Sequence, residues 1–289
     1  MRRSNRRAAR PPSWCVLGAA SVAVLVGAAA GCSSSHGVRG SSVSAPSSAA
    51  PASPPVSSAS TTLTGPAARC GPPERRDARL VTLRGPGQAR LPAAVLGSGA
   101  TVAVMLHQTD GGGLCGWWPY AAWLTTRYPI RAVLVDLCRY GSEAQCPGSA
   151  FADDQRAQVA LAVRYARNIG GKRIVLVGAS MGGALALATA TQTHADAVVD
   201  LSGPSKWPDA EAAPAARQLR VPALVVASPN DPNIDSAAVL AAYRLIPARP
   251  KRFVSGDGPH GWDLLPDATA TGWTPLAHQV AQWIVGHYG

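Results

Sequence analysis

The sequence predicts an α/β protein with a mostly parallel central sheet and helices on both faces. Short apolar segments rich in β-branched residues recur from about residue 80 onward, and such segments are typical of strands that are buried on both faces. Alanine-rich or amphipathic segments of helical length separate most of them. This alternation favours parallel strands covered by helices, and it places functional side chains at the carboxyl ends of the strands.

The individual elements follow from these patterns in chain order. Strands are expected at residues 80–83, 93–96, 101–106, 130–137, 174–177, 197–201, 221–228 and 252–255. Helices are expected at residues 117–127, 153–168, 236–245 and 276–288, with another that begins at residue 181, and residues 208–219 form a short alanine-rich segment. Pro119 suits the first turn of the first helix, and Gly170 and Gly171 are expected to end the second.

The first 31 residues have the parts of a secretory signal peptide. Five arginines and no acidic residue lie among the first ten positions, and an apolar segment follows at residues 14–30. Small residues then precede Cys32, which resembles the cleavage site of bacterial lipoproteins. We expect residues 1–31 to be removed and Cys32 to carry lipid on the extracytoplasmic face of the membrane. Secretion without lipid or an uncleaved anchor helix are the alternatives, although the apolar segment is short for a membrane span.

Composition divides the remaining chain into a tether and a domain. Residues 32–69 are dominated by Ser, Ala, Pro and Thr, so they are expected to form a disordered tether. Residues 70–289 are sufficient for one well-buried domain, expected to be monomeric. The net charge of +11 overstates the basic character of this domain, since 20 basic residues face 16 acidic ones from Glu74 onward. Without a basic cluster, nucleic acid is not an expected partner.

The cysteines indicate disulfides and no metal site. If Cys32 carries lipid, four cysteines remain in an exported chain, and an even number favours two disulfides. Cys138 and Cys146 flank one loop, so a bridge between them is easy to close, and Cys70 would then pair with Cys115. The other two pairings stay open. No C-x-x-C spacing occurs, so zinc is not expected.

Residues 173–191 contain the strongest functional signal. A buried strand ends in Gly178-Ala179-Ser180-Met181-Gly182, and an alanine-rich helix begins directly afterwards. A G-x-S-x-G sequence between a strand and a helix is typical of a nucleophile elbow, in which a sharp turn exposes the serine hydroxyl. The sequence alone also allows a glycine-rich turn with an ordinary capping serine.

Elimination among the six histidines selects the general base. His260 follows the last predicted strand, in a loop at the carboxyl edge where it could reach the hydroxyl of Ser180. Asp231 follows the strand at residues 221–228 and is the candidate that orients His260. Asp200 and Asp235 are the reserve candidates.

The order Ser180, Asp231, His260, each after a strand, resembles the α/β-hydrolase fold family, and in particular its small lidless esterases and dienelactone hydrolases. The resemblance covers roughly residues 80–289. It implies an oxyanion hole formed by the backbone N–H of Met181 together with that of Thr109 or Gln108. Gln108 stands where the family usually has glycine, so the choice between these two stays open.

The sequence thus predicts an exported serine hydrolase that cleaves a small-molecule or lipid-like carboxylic ester through an acyl-enzyme, without a cofactor. Two alternatives remain. One is an acyltransferase of the cell envelope with the same triad, and the other is a non-catalytic binding protein that kept the fold.

Overall fold

The computed structural model describes residues 64–141, 144–147 and 150–289. The predicted signal peptide, Cys32 and the predicted tether as far as residue 63 lie outside the described residues. No helix among the described residues is long and apolar enough to cross a membrane.

A single eight-stranded sheet runs through the described part of the chain, in the order β1-β2-β4-β3-β5-β6-β7-β8. The strands are Arg79–Arg84 (β1), Arg90–Gly97 (β2), Thr101–Leu106 (β3), Ile130–Val135 (β4), Arg173–Ala179 (β5), Ala197–Leu201 (β6), Ala223–Ala227 (β7) and Lys251–Ser255 (β8). β2 pairs antiparallel with both β1 and β4, and the strands from β4 to β8 are parallel. The mostly parallel sheet predicted from the sequence is confirmed.

Helices cover both faces of this sheet. They are Gly65–Cys70 (α1), Trp118–Arg127 (α2), Ala150–Asp153 (α3), Gln155–Asn168 (α4), Met181–Thr189 (α5), Ala212–Gln218 (α6), Ser236–Arg244 (α7) and Pro275–Val285 (α8). Apolar side chains of α4, α5, α6 and α7 share one core with the sheet. Those of α2 and α8 share the other. Successive residues of β3 point into opposite cores, as the two-residue period of a strand requires. Val104 contributes to the first core and Met105 to the second.

The described structure includes residues that precede the predicted domain boundary at residue 70. Residues 65–69, assigned to the tether from composition, belong to α1. Ala67 is buried in the core beneath α2 and α8, and Arg69 forms an ion pair with Asp136, which is fully buried after β4. Composition could not reveal this contact because Gly, Pro and Ala are equally common in a tether and in a short packed turn.

Both predicted disulfides are present. Cys70 bridges to Cys115, and Cys138 bridges to Cys146. The first bridge fixes the end of α1 to a 3₁₀ turn, Gly113–Trp117, that follows β3. The N-terminal end of the described chain is therefore covalently tied to the carboxyl edge of the sheet.

Candidate active site

Ser180 lies at the sharp junction between β5 and α5. Its backbone has φ 51° and ψ −119°, a conformation that non-glycine residues rarely adopt and that costs about 1–3 kcal/mol. The Ser180 N–H donates to the carbonyl of Leu201 at 2.8 Å, and its carbonyl accepts from Ala184 N at 3.1 Å. The strained turn is thus held by β6 on one side and by α5 on the other.

The two glycines of the G-x-S-x-G sequence are required by close backbone approach. A Cβ atom at Gly178 would lie 1.9 Å from the carbonyl oxygen of Gly182. A Cβ atom at Gly182 would lie 2.1 Å from the carbonyl oxygen of Leu106, at the end of β3. Both distances are far below van der Waals contact, so only glycine fits at either position. The structure therefore favours the elbow interpretation over a capping serine.

His260 and Asp231 lie together at the same edge of the sheet. Nδ1 of His260 is 2.6 Å from Oδ2 of Asp231, whose side chain is fully buried, whereas the imidazole keeps 19% of its surface exposed. The other carboxylate oxygen of Asp231 accepts from the backbone N–H of Asn233 at 2.9 Å. Since an ionised carboxylate only accepts, the proton of the neutral imidazole lies on Nδ1, and Nε2 of that tautomer has a lone pair.

The charge state of Asp231 suits this arrangement. Burial acts to raise the pKa of Asp231, but the hydrogen bonds from His260 and Asn233 outweigh it and hold the pKa below its usual value. Asp231 is therefore ionised at neutral pH.

The loop that carries His260 packs against the elbow. A Cβ atom at Gly261 would lie 3.4 Å from the Cβ atom of Ala179, the residue before Ser180. No hydrogen bond between the described residues joins the Ser180 hydroxyl to His260. Such bonds are often long before a substrate is bound.

The two reserve acids are engaged elsewhere. Asp235 caps α7 by accepting from Ala238 N at 3.0 Å. Asp200, in β6, is almost completely buried and accepts from Gly203 N at 2.8 Å. Neither carboxylate hydrogen bonds to His260 in the described structure.

Asp200 has a consequence for stability. Burial raises its pKa from 3.8 to about 7, and the Gly203 N–H only partly offsets that. The folded state holds the Asp200 proton more tightly than the unfolded chain does. The contribution of this proton to the free energy of unfolding is therefore complete below about pH 4 and is lost as the pH rises through 7. Between pH 5 and pH 8, the free energy of unfolding should fall by about 3 kcal/mol less in Asp200→Asn than in the wild type. Urea unfolding at both pH values measures this difference. Parallel pH profiles for the two proteins would contradict this expectation.

His107 fixes the backbone at the predicted oxyanion segment. Its Nε2 accepts from Leu137 N at 3.0 Å, so Nδ1 carries the proton and donates to the carbonyl of Gln108 at 2.7 Å. Burial lowers the pKa of His107, which keeps the ring neutral. In a trans peptide the N–H of Thr109 points away from that carbonyl. Among the described residues, neither Thr109 N–H nor Met181 N–H has an acceptor.

Sequence reasoning missed a contact that holds Met181. Gln155, at the start of α4, donates to the Met181 sulfur at 3.2 Å and accepts from the Trp207 indole at 2.7 Å. Trp207 also packs edge-on against Tyr140 at 5.7 Å. Trp117 and Trp118 are fully buried, so they belong to the core and do not line an open pocket. No pattern in the sequence joins Gln155 to the elbow, because the two meet only through the fold.

The whole arrangement can be compared with known proteins. A model of the dienelactone hydrolase family matches residues 142–246, which include Ser180 and Asp231 but not His260. No curated protein sequence matches the chain.

Solved structures are similar over most of the domain. An esterase of Pyrococcus furiosus has a TM-score of 0.61 at 12% identity, covering 73% of this chain and 92% of its own. The dienelactone hydrolase of Anabaena variabilis ATCC 29413 has a TM-score of 0.56 at 18% identity, covering 72% and 96%. Acetyl xylan esterase 1 of Thermoanaerobacterium sp. JW/SL YS485 has a TM-score of 0.56 at 16% identity, covering 75% and 86%.

The domain has the α/β-hydrolase fold. In this fold Ser180, Asp231 and His260 follow β5, β7 and β8 of one parallel sheet, so all three lie at its carboxyl edge. Among the residues that the structure describes, no group of three His, Cys, Asp or Glu side chains is arranged to hold a metal ion.

Proposed function

We propose that this chain is a serine hydrolase that cleaves carboxylic esters, with Ser180 as nucleophile, His260 as general base and Asp231 as the orienting acid. The observation that carries the proposal is the 2.6 Å contact between His260 and buried Asp231, on a loop that packs against the strained Ser180 turn. The partial match to a hydrolase family and the esterases among the structural neighbours support ester hydrolysis.

The reaction follows from the proton positions. His260 Nε2 takes the proton of Ser180 while Oγ bonds to the ester carbonyl carbon. The tetrahedral intermediate collapses, the bond to the alcohol oxygen breaks, and His260 returns the proton to that oxygen. A water molecule, deprotonated by His260, then attacks the acyl-enzyme carbonyl. The bond from that carbon to Oγ breaks, and His260 gives the proton to Oγ, which releases the acid and restores the Ser180 hydroxyl. Asp231 stays ionised and stabilises the imidazolium in both halves.

The negative oxygen of the intermediate needs two donors. The N–H groups of Met181 and Thr109 are the proposed pair. Met181 is the first residue of α5, so its N–H lies at the positive end of the helix dipole, which stabilises the negative oxygen. The anchoring of the Gln108 carbonyl by His107 supports Thr109 over Gln108 as the second donor.

A reactive phosphonate tests this function directly. We expect a fluorophosphonate to label the full-length protein once per chain, on the peptide that contains Ser180, and to abolish hydrolysis of p-nitrophenyl esters in proportion to labelling. Labelling on another residue, or turnover that survives complete labelling, would contradict the assignment.

The chain is further proposed to be exported and anchored through lipid on Cys32. The two disulfides of the domain support an oxidising compartment. We expect Cys32→Ala to move the protein from the membrane fraction to the soluble fraction, with Cys15→Ala as the matched control. Continued membrane association of the Cys32 variant, with residues 1–31 still attached, would support an uncleaved anchor instead.

A further inference from the structure

A cavity of about 430 Å³ opens next to the loop that carries His260. Its lining includes Gly116 from the turn after β3, Tyr120 from α2, and Trp262, Asp263 and Trp273 from the segment after β8. Trp262 and Asp263 are only two and three residues beyond His260. The cavity therefore adjoins the segment that carries the proposed general base.

Three aromatic rings, those of Tyr120, Trp262 and Trp273, contribute to the cavity wall. Tyr120 and Trp273 meet edge to face with ring centres 5.2 Å apart, and Trp262 packs edge-on against the core residue Trp117 at 5.7 Å. The Trp262 ring lies directly on Gly116, where a Cβ atom would come within 2.1 Å of it. The rings are therefore held in place before any ligand arrives.

The same cavity carries negative charge. Asp263 contributes to its lining, and the Gln108 side chain, which donates to Asp110 at 3.0 Å, also interacts with Asp263. Burial and the neighbouring charge of Asp110 raise the pKa of Asp263. The two carboxylates thus repel each other across one amide.

No lysine or arginine of the described chain relieves that repulsion. Within residues 64–141, 144–147 and 150–289, neither Asp110 nor Asp263 forms an ion pair with a basic side chain of either kind. The chain as a whole has a net charge of +11, so basic side chains are not scarce. Aromatic faces next to unpaired carboxylates are the surroundings that favour an ammonium group, through cation–π attraction and charge.

We infer that the cavity of Tyr120, Trp262, Trp273 and Asp263 binds an ammonium group of the substrate, so that the preferred substrates are esters that carry a positive charge. This inference rests on the proposed function, because it takes Ser180 as the reacting centre. It assigns Asp263 to substrate selection and gives it no part in the chemical steps.

Two esters of nearly equal shape test the inference on the full-length protein. Acetylcholine carries a trimethylammonium group, and 3,3-dimethylbutyl acetate has a carbon atom in place of the charged nitrogen. We expect kcat/KM for acetylcholine to exceed that for the neutral ester about tenfold or more. Asp263→Asn should bring this ratio close to one. Asp257→Asn, which removes the same charge from an exposed position outside the cavity, should leave the ratio unchanged.

A ratio near one in the wild type, or an unchanged ratio in the Asp263 variant, would overturn the inference. Calorimetric titration measures the affinity for choline without any turnover. We expect choline to bind, and we expect Asp263→Asn, but not Asp257→Asn, to weaken this binding. Choline binding without any ester turnover or phosphonate labelling would refute the proposed function while supporting the ammonium site. Ester turnover without choline binding or charge preference would support the proposed function and refute the ammonium site.

Discussion

Replacement of Ser180 by alanine is expected to abolish ester hydrolysis and fluorophosphonate labelling together. The hydroxyl is the only group at the elbow that can form the acyl-enzyme, and neither His260 nor Asp231 can substitute for it. In the best-studied serine protease the equivalent loss lowers kcat by roughly 10⁶-fold. Steady-state hydrolysis of p-nitrophenyl acetate, with thermal unfolding to confirm the fold, measures the effect.

The matched control is Ser205→Ala, which removes a hydroxyl from the loop after β6 and outside the elbow. This variant should retain wild-type turnover. Activity that persists in the Ser180 variant would mean that another residue is the nucleophile, and the elbow would then have only a structural role.

Asp231→Asn should lower kcat by roughly 10⁴-fold while the fold is retained. The reason is the tautomer of His260. An asparagine amide can donate its N–H to Nδ1, so the imidazole proton would move to Nε2. A protonated Nε2 cannot accept the proton of Ser180. Loss of the carboxylate also removes the charge that stabilises the imidazolium. The decrease should appear in kcat and kcat/KM alike.

Two further aspartates serve as controls for this effect. Asp235→Asn retains a good helix-capping residue at the start of α7, so we expect turnover close to wild type. Asp200→Asn should change stability and its pH dependence far more than kcat. If Asp200→Asn lost activity while Asp231→Asn retained it, the orienting acid would follow β6 and the assignment of Asp231 would be wrong.

The sheet could be predicted from the sequence because each central strand is a short apolar segment with its own clear boundaries. The parallel strands at residues 101–106 and 197–201 were placed correctly to the residue. The short helices α1 and α3 were missed because six and four residues are too few to show a helical period. Contacts between distant residues were equally inaccessible, since Gln155 reaches Met181 and Arg69 reaches Asp136 only in the folded chain.

Within the site, the sequence indicated the residues that follow strands, because parallel strands bring their carboxyl ends to one edge. Ser180, Asp231 and His260 belong to this class. The cavity beside them could not be foreseen, because Tyr120 of α2 meets Trp262 and Trp273 of the segment after β8 only in the folded chain. The predicted disulfide between Cys138 and Cys146 needed no such knowledge, since a loop of this length brings its own ends together.

The backbone conformation of Ser180 limits which nucleophiles this site could acquire during evolution. At a φ of 51°, a residue branched at Cβ would clash with its own main chain, and β-branched residues are genuine outliers in this region. Threonine is therefore excluded by the turn itself, although its hydroxyl is chemically able to attack an ester. Cysteine has an unbranched Cβ and fits the same conformation. A change from oxygen to sulfur chemistry is thus open to this protein, whereas a change from serine to threonine would require a different backbone.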